Sequence, residues 1–288
     1  MNLKHLTLIA LFPFVLAFSW VSGDAPSRSV LVSVSPHKFF VEKIAGNTVT
    51  VGLMVPAGSS AHTYEPTPKQ MLAASKADIW FTIGEGFEVR AVRALTSYNP
   101  KMDIVDLREG VDMIKADPLT GACCCCHANS QDLHFWLSAR QAKIQATTIA
   151  KALIAHYPEN TALYLSSLGS FVKELDALDA QIGSILAPLK NRLIMVSHPA
   201  YAYFCRDYDL AQLSIEFEGK DPTPQQLNTI LNKARAAHID RVFIQAQYPS
   251  KGAKLFAREL KAKIVMLDPY AEDYINSMLE IANAFGEK

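Results

Sequence analysis

The feature that most constrains this fold is one long, unbroken helical pattern between two sets of alternating strand-like and helix-like stretches. Residues 161–186 contain no proline, and apolar side chains recur there every three or four residues, which predicts one amphipathic helix. This apolar stripe comprises Leu165, Leu168, Val172, Leu175, Leu178, Ile182 and Ile185. At about 1.5 Å per residue the helix is about 40 Å long, enough to run past two halves of the protein. We interpret it as a connecting helix; a core helix of one domain would show the same pattern.

The stretches on either side of this helix predict mainly parallel sheets. The predicted strands are 30–34, 49–55, 78–83 and 103–107 before the helix, and 193–196, 210–216, 241–244 and 263–267 after it. Helical patterns alternate with these strands, as is typical of βα units. With 288 residues, half of them hydrophobic, the chain is long enough for two moderate domains or one large one. We therefore expect an α/β fold with an ample core.

The N-terminus has the pattern of an export signal. Lys4 and His5 are followed by an apolar run over residues 6–17 and by small residues near Gly23. This predicts a cleaved signal peptide over residues 1–23 and an exported mature protein, with an uncleaved membrane anchor as the alternative. Lysine plus arginine and aspartate plus glutamate number 28 each, so the net charge is zero and nothing indicates a nucleic acid partner.

Three histidines in separate loops form the candidate functional site. His62 lies in segment 58–68, His134 in segment 132–138 and His198 in segment 196–201, near the ends of strand-like runs or turn signals. Because ligands of parallel sheets bind at the carboxyl ends of strands, a folded chain can direct these side chains to one spot. Three imidazoles are a strong ligand set for a divalent transition metal. The sequence therefore predicts a metal site.

A closed zinc site needs a fourth ligand, and two residues at other predicted strand ends are candidates. Asp268 offers a carboxylate and ranks first. Gln245 offers only a neutral carbonyl oxygen and ranks second. Glu65, near His62, is a candidate to orient a ligand, since the second nitrogen of a metal-bound histidine needs a hydrogen-bond acceptor.

Four segments of the chain resemble the metal-specific solute-binding proteins of bacterial zinc and manganese ABC importers. These segments are 58–68, 132–138, 197–204 and 265–269, and the most specific of them contains the run His-Thr-Tyr-Glu-Pro-Thr-Pro. The resemblance covers the whole mature chain, with the motifs in the same order.

This resemblance implies a fold of two α/β lobes with the metal between them. The lobes would span residues 24–158 and 189–288, with the connecting helix at residues 159–188. By the same resemblance, His62 and His134 match the ligands of the first lobe, and His198 and Asp268 match those of the second.

The resemblance also implies a function. The protein would be a monomeric periplasmic receptor, not an enzyme, that captures a divalent metal ion and delivers it to an ABC permease in the inner membrane. Manganese binders of the family have a carboxylate where this chain has His198, and a third nitrogen donor favours Zn²⁺ over the harder Mn²⁺. Mn²⁺ or Fe²⁺ import remains an alternative. The chain departs from the family pattern at Leu133, often proline there, and at Gln245, often glutamate.

Two other classes of protein fit three histidines. A zinc-dependent hydrolase would keep the fourth metal position open for water. A surface adhesin or structural protein would use the metal only to stabilise its fold. Against a hydrolase, the sequence has no His-Glu-x-x-His helix.

The five cysteines raise a separate question. Residues 123–126 are four consecutive cysteines followed by His127, where zinc binders of the family often carry a loop rich in histidine and acidic residues. Two hypotheses remain open for this segment: a metal-gathering or redox-sensitive loop, and disulfide formation in an oxidising compartment. Cys205 lies in an aromatic-rich stretch and is predicted to be a buried thiol.

Overall fold

The computed structural model describes residues 28–115, 131–216, 223–248 and 251–287. The predicted signal peptide, the four consecutive cysteines and His127 lie outside these described residues.

Eight strands and nine α-helices alternate along the described residues. The strands are β1 Ser29–Val32, β2 Thr50–Leu53, β3 Ile79–Thr82, β4 Asp103–Asp106, β5 Leu193–Val196, β6 Ala211–Ser214, β7 Arg241–Gln245 and β8 Lys263–Leu267. The helices are α1 Ser35–Ala45, α2 Pro68–Ala74, α3 Gly86–Tyr98, α4 Ala139–His156, α5 Thr161–Leu186, α6 Ala202–Asp207, α7 Pro224–Ala236, α8 Lys251–Leu260 and α9 Tyr274–Gly286. Short 3₁₀ helices span Ala61–Thr63 and Pro158–Asn160.

The strands form two four-stranded sheets, each confined to one side of α5. Their strand orders are β2-β1-β3-β4 and β6-β5-β7-β8, and all the strand pairs are parallel. In both sheets the first strand along the chain lies between the second and the third, so the two lobes have the same topology, although the sequence shows no repeat. In both sheets the central strands are apolar and mostly buried, as expected when helices cover both faces. The expected α/β fold of two lobes with a long connecting helix is confirmed.

Helix α5 has the predicted bounds, but its buried face differs from the predicted stripe. The predicted member Leu165 is 55% exposed, whereas Tyr164 and Phe171 are buried. Tyr164 also places its hydroxyl 2.9 Å from Thr48 Oγ1, in the loop before β2. The larger aromatic side chains therefore fill the interface at the start of the helix, and Leu165 was wrongly assigned to the buried face, whereas Leu168 packs against the core as predicted. Helix α5 packs on α1 and α4 of the first lobe and on α9 of the second.

Buried hydrogen bonds fasten the segment before α4 to the second lobe. Trp136 is fully buried, and its indole Nε1 donates to the carbonyl oxygen of Pro269 at 2.8 Å. The hydroxyl of Tyr274 donates to the backbone carbonyl oxygen of Trp136 at 2.7 Å. The hydroxyl of Tyr203 donates to the backbone carbonyl oxygen of Asp132, also at 2.7 Å. Because these bonds are buried, the segment belongs structurally to both lobes.

Two further polar groups are buried in the core. His37 lies between α1 and α4 with Nε2 2.7 Å from Gln145 Oε1, and burial lowers its pKa to about 4. His37 is therefore a neutral core residue. Cys205 is a buried free thiol, as predicted. Among the described residues, none of the helices has the length and hydrophobicity that crossing a membrane requires.

Candidate metal centre

The three predicted histidines are positioned by the carboxyl ends of the two sheets and by the segment before α4. His62 lies in the 3₁₀ helix that follows β2, and His198 lies two residues beyond β5. His134 precedes α4, where Ser138 caps the helix by accepting a hydrogen bond from the backbone N–H of Gln141 at 3.0 Å. Two of the three imidazoles therefore come from the first lobe and one from the second.

The imidazole rings meet in a nearly equilateral triangle. The centroid distances are 5.0 Å between His62 and His134, 5.2 Å between His62 and His198, and 5.3 Å between His134 and His198. One ring nitrogen from each lies within 4.8 Å of the others, and the Nε2 atoms of His62 and His134 are 3.2 Å apart. Tetrahedral zinc with Zn–N bonds of about 2.0–2.1 Å would separate its ligand atoms by about 3.3–3.4 Å. The 3.2 Å between the Nε2 atoms of His62 and His134 is therefore close to the spacing of two zinc ligands.

Each imidazole has a carboxylate beside its other ring nitrogen. Nδ1 of His134 donates to Asp132 Oδ1 at 2.8 Å, and Nδ1 of His198 donates to Glu216 Oε2 at 2.9 Å. Nδ1 of His62 lies 2.9 Å from Glu85 Oε1. A carboxylate at Nδ1 keeps the proton on that atom, so the lone pair of Nε2 is available to a metal. The three carboxylates would also offset the charge of a divalent cation held by the imidazoles.

The electrostatic environment keeps His198 neutral. Burial lowers the pKa of His198 well below its usual value, and the neighbouring His62 and His134 lower it further. A proton competes with a metal for the same lone pair, so a depressed pKa preserves a metal-binding imidazole.

The two candidates for the fourth ligand make other hydrogen bonds in this structure. Among the described residues, the cluster of possible ligands contains the three histidines and omits Asp268. The Oδ1 atom of Asp268 accepts hydrogen bonds from Gln247 Nε2 at 2.7 Å and from the backbone N–H of Tyr270 at 2.9 Å. Gln245 is buried at the end of β7 and directs its Nε2 towards the carbonyl oxygen of His198 at 3.4 Å.

The interpretation of Glu65 was wrong. Its carboxylate is exposed and pairs with Arg90, because the prolines that follow it direct the chain away from His62 into α2. Glu85, three residues beyond β3, faces His62 instead. Glu216, two residues beyond β6, takes the equivalent role for His198. The strand-end position that led to the histidines would have identified both glutamates.

A buried carboxylate also holds the backbone that carries Glu85. The carboxylate of Glu88 accepts hydrogen bonds from the backbone N–H groups of Ile83, Gly84 and Glu85 and from the hydroxyl of Ser33. Burial raises the pKa of Glu88 to about 7. These bonds cap α3 and fix the position of Glu85 behind His62.

We expect Asp132→Asn to lower the metal affinity about 10- to 100-fold. The amide keeps the shape and the acceptor oxygen but removes the negative charge that holds the Nδ1 proton of His134. Isothermal titration with zinc would measure the change. Asp112→Asn is the matched control, because that carboxylate is 84% exposed and pairs with Arg206 at the surface. Equal affinities of the two variants would contradict a role for Asp132 at the site.

Comparisons with known proteins agree with this geometry. The family model described as zinc-uptake complex component A, periplasmic, matches residues 30–287. A Chlamydia muridarum protein described as metal-binding is 35% identical over 284 residues, which span 98% of this chain and 99% of the relative. The manganese ABC transporter substrate-binding lipoprotein PsaA of Streptococcus anginosus is 28% identical over 293 residues, spanning 95% of this chain and 90% of the relative.

Solved structures show the same fold. The crystal structure of ZnuA is 35% identical, with a TM-score of 0.84 over 90% of this chain and 98% of that one. A ZnuA deletion mutant with zinc bound is also 35% identical, with a TM-score of 0.83 over 90% of this chain and 97% of the other.

Two parallel sheets, one connecting helix and a histidine triangle between them define a two-lobed protein of the metal solute-binding class. The match over residues 30–287 then specifies the group: this chain belongs to the zinc-uptake complex component A family. The resemblance inferred from the four sequence motifs is thus confirmed.

Proposed function

We propose that this chain is the periplasmic substrate-binding component of a metal ABC transporter, and that it captures one zinc ion and delivers it to a permease in the inner membrane. The observation that carries the proposal is the triangle of His62, His134 and His198, each with a carboxylate at Nδ1. The family is one of transport proteins rather than enzymes.

Zinc is proposed over manganese because of the donor atoms. Imidazole nitrogen suits Zn²⁺, whereas Mn²⁺ prefers carboxylate and carbonyl oxygen. The three carboxylates at the site lie beside histidine nitrogens, so they act on the ligands rather than on the metal. Manganese is the second candidate, because PsaA of Streptococcus anginosus is described as a manganese transporter component.

Asp268 is proposed as the fourth protein ligand, with Gln245 as the second choice. Asp268 follows β8 at the same end of the second sheet as His198, and a carboxylate would complete a tetrahedral shell with three nitrogens. In this proposal the side chain gives up a hydrogen bond to Gln247 or Tyr270 when it turns towards the metal.

Metal competition on the mature chain, residues 24–288, tests this function. The metal-free protein would be dialysed against equimolar zinc, manganese and ferrous iron under anaerobic conditions, and the bound metal would be measured by mass spectrometry. We expect about one zinc per chain, held by a four-ligand shell, and weaker zinc binding in Asp268→Asn.

Other outcomes of this experiment would indicate a different metal, a different function or a different fourth ligand. Manganese retained in preference to zinc would indicate a manganese receptor. Zinc-dependent hydrolysis of ester or peptide substrates would instead indicate an enzyme with water in the fourth position. If Asp268→Asn binds zinc with wild-type affinity, Asp268 is not the fourth ligand.

A further inference from the structure

The side chain of Tyr248 spans the two lobes directly beside the histidine triangle. It lies three residues beyond β7, and its ring stacks on that of His198 with a centroid distance of 4.2 Å and an interplanar angle of 15°. The same ring lies 6.3 Å from that of His62. Tyr248 thus touches the part of the site where the ligands of the two lobes meet.

The hydroxyl of Tyr248 joins the loop that carries His62. It lies 2.6 Å from Ser60 Oγ, which is a hydrogen-bonding distance for two hydroxyl groups. Ser60 comes immediately before the 3₁₀ helix that contains His62. One side chain therefore stacks on a ligand of the second lobe and hydrogen-bonds the loop that holds a ligand of the first.

Two independent contacts fix the imidazole of His198. Glu216 holds its Nδ1 edge, and Tyr248 covers one face of the ring. Together they limit rotation about both side-chain torsions, so Nε2 keeps its direction. An aromatic ring on that face also excludes water, which strengthens the electrostatic interactions of the site.

The contact between Tyr248 and Ser60 lies on the more accessible side of the site. Among the three imidazoles, that of His62 is the most accessible, at 6% exposed against 0% for His134 and 1% for His198. Ser60 and Tyr248 are half-buried. The contacts of Trp136 on the other side are fully buried. An ion that leaves with the least disturbance of the core therefore passes between the His62 loop and Tyr248.

We propose that Tyr248 is a positioning residue that sets the rate of metal release, because its hydrogen bond to Ser60 holds the His62 loop against the second lobe. This inference rests on the proposed metal capture between the lobes. In this arrangement, metal leaves when the hydrogen bond breaks and His62 moves away from His134 and His198.

Release kinetics in a double-mutant cycle test the inference. Zinc-loaded protein would be mixed with excess chelator in a stopped-flow instrument, for wild type, Tyr248→Phe, Ser60→Ala and the double variant. We expect each single variant to release zinc about tenfold faster, the equivalent of about 1.4 kcal/mol. The double variant should be no faster than either single one, since both remove the same hydrogen bond.

Further variants separate positioning from a merely structural role. Tyr248→Leu also removes the stacked ring, so it should release zinc faster than Tyr248→Phe. Tyr98→Phe removes a hydroxyl from a side chain that is 81% exposed, and it is the matched control. The circular dichroism spectrum of metal-free Tyr248→Phe should match that of the wild type, which a general loss of structure would not allow.

The possible failures are distinguishable. If wild-type protein binds neither zinc nor manganese, the proposed function fails. If the protein binds zinc but Tyr248→Phe and Ser60→Ala release it at the wild-type rate, the role of Tyr248 is overturned. Multiplying effects in the double variant would also overturn it, because they would mean that the two hydroxyls act separately.

Discussion

Replacing His198 by alanine is expected to weaken zinc binding about 100- to 1,000-fold. Binding free energies of about 10–16 kcal/mol for four-ligand zinc sites correspond to about 2.5–4 kcal/mol per ligand. The substitution removes the only triangle member supplied by the second lobe, and it leaves Glu216 without its imidazole partner. Metal analysis after gel filtration, followed by competition with a chelator of known affinity, would measure the loss.

The matched control for this experiment is His156→Ala. His156 ends α4 and lies 3.2 Å from Asp103 at the start of β4, at the opposite end of the first sheet from the site. Its loss should leave zinc affinity unchanged. Zinc retained at full affinity in His198→Ala would contradict the ligand assignment and direct attention to the cysteines at residues 123–126.

The largest loss of stability is expected from Trp136→Ala, at about 3–5 kcal/mol. The indole is fully buried, packs 5.3 Å from the ring of Tyr270, and donates to the carbonyl oxygen of Pro269. Alanine therefore leaves both a cavity and an unpaired carbonyl group between the lobes. Urea unfolding of the metal-free protein, followed by circular dichroism, would give the difference in free energy of unfolding.

Trp136→Phe separates the two contributions to that loss. Phenylalanine keeps most of the buried ring but lacks the Nε1 donor, so we expect it to cost about 1–3 kcal/mol. The free energy of unfolding should therefore rank wild type above Trp136→Phe and Trp136→Phe above Trp136→Ala. A loss below about 1 kcal/mol in Trp136→Ala would mean that the contact does not hold the lobes together.

Much of the fold follows from local patterns in the sequence. Helix α5 has its predicted bounds because no proline or capping residue interrupts residues 161–186. Strands β5 and β8 and helix α8 also have their predicted bounds, since short apolar runs and helical periodicity are flanked there by turn signals. In these places local propensity and tertiary packing agree.

Two helices were not predicted from the sequence. Helix α3 begins after Gly84 and Glu85, and its first turn is capped by Glu88, which accepts a hydrogen bond from Ser33 in the turn after β1. Helix α6 has only six residues and directly follows the His198 turn. Helix α6 is too short to be identified from its periodicity, whereas α3 was overlooked although it has 13 residues and a Glu85–Glu88 capping box.

The sequence predicted the candidate metal ligands but not the carboxylates that hydrogen-bond to them. The strand-end rule led to His62 and His198, yet their carboxylate partners Glu85 and Glu216 are 23 and 18 residues further along the chain. Which carboxylate faces which imidazole depends on the order of strands in each sheet. The stacking of Tyr248 on His198 likewise requires β5 and β7 to be neighbours.

Helix α5 determines whether the cost of ordering the site falls on folding or on ion binding. Because it packs on α1 and α4 of the first lobe and on α9 of the second, a large rotation of one lobe would uncover apolar surface along these contacts. The imidazole nitrogens already lie within 4.8 Å of one another in the folded chain. For the three imidazoles proposed as ligands, the conformational entropy of assembly is therefore lost during folding and not when the ion arrives. The proposed site would therefore discriminate between ions by how readily each sheds its hydration shell, and not by their ability to draw two domains together.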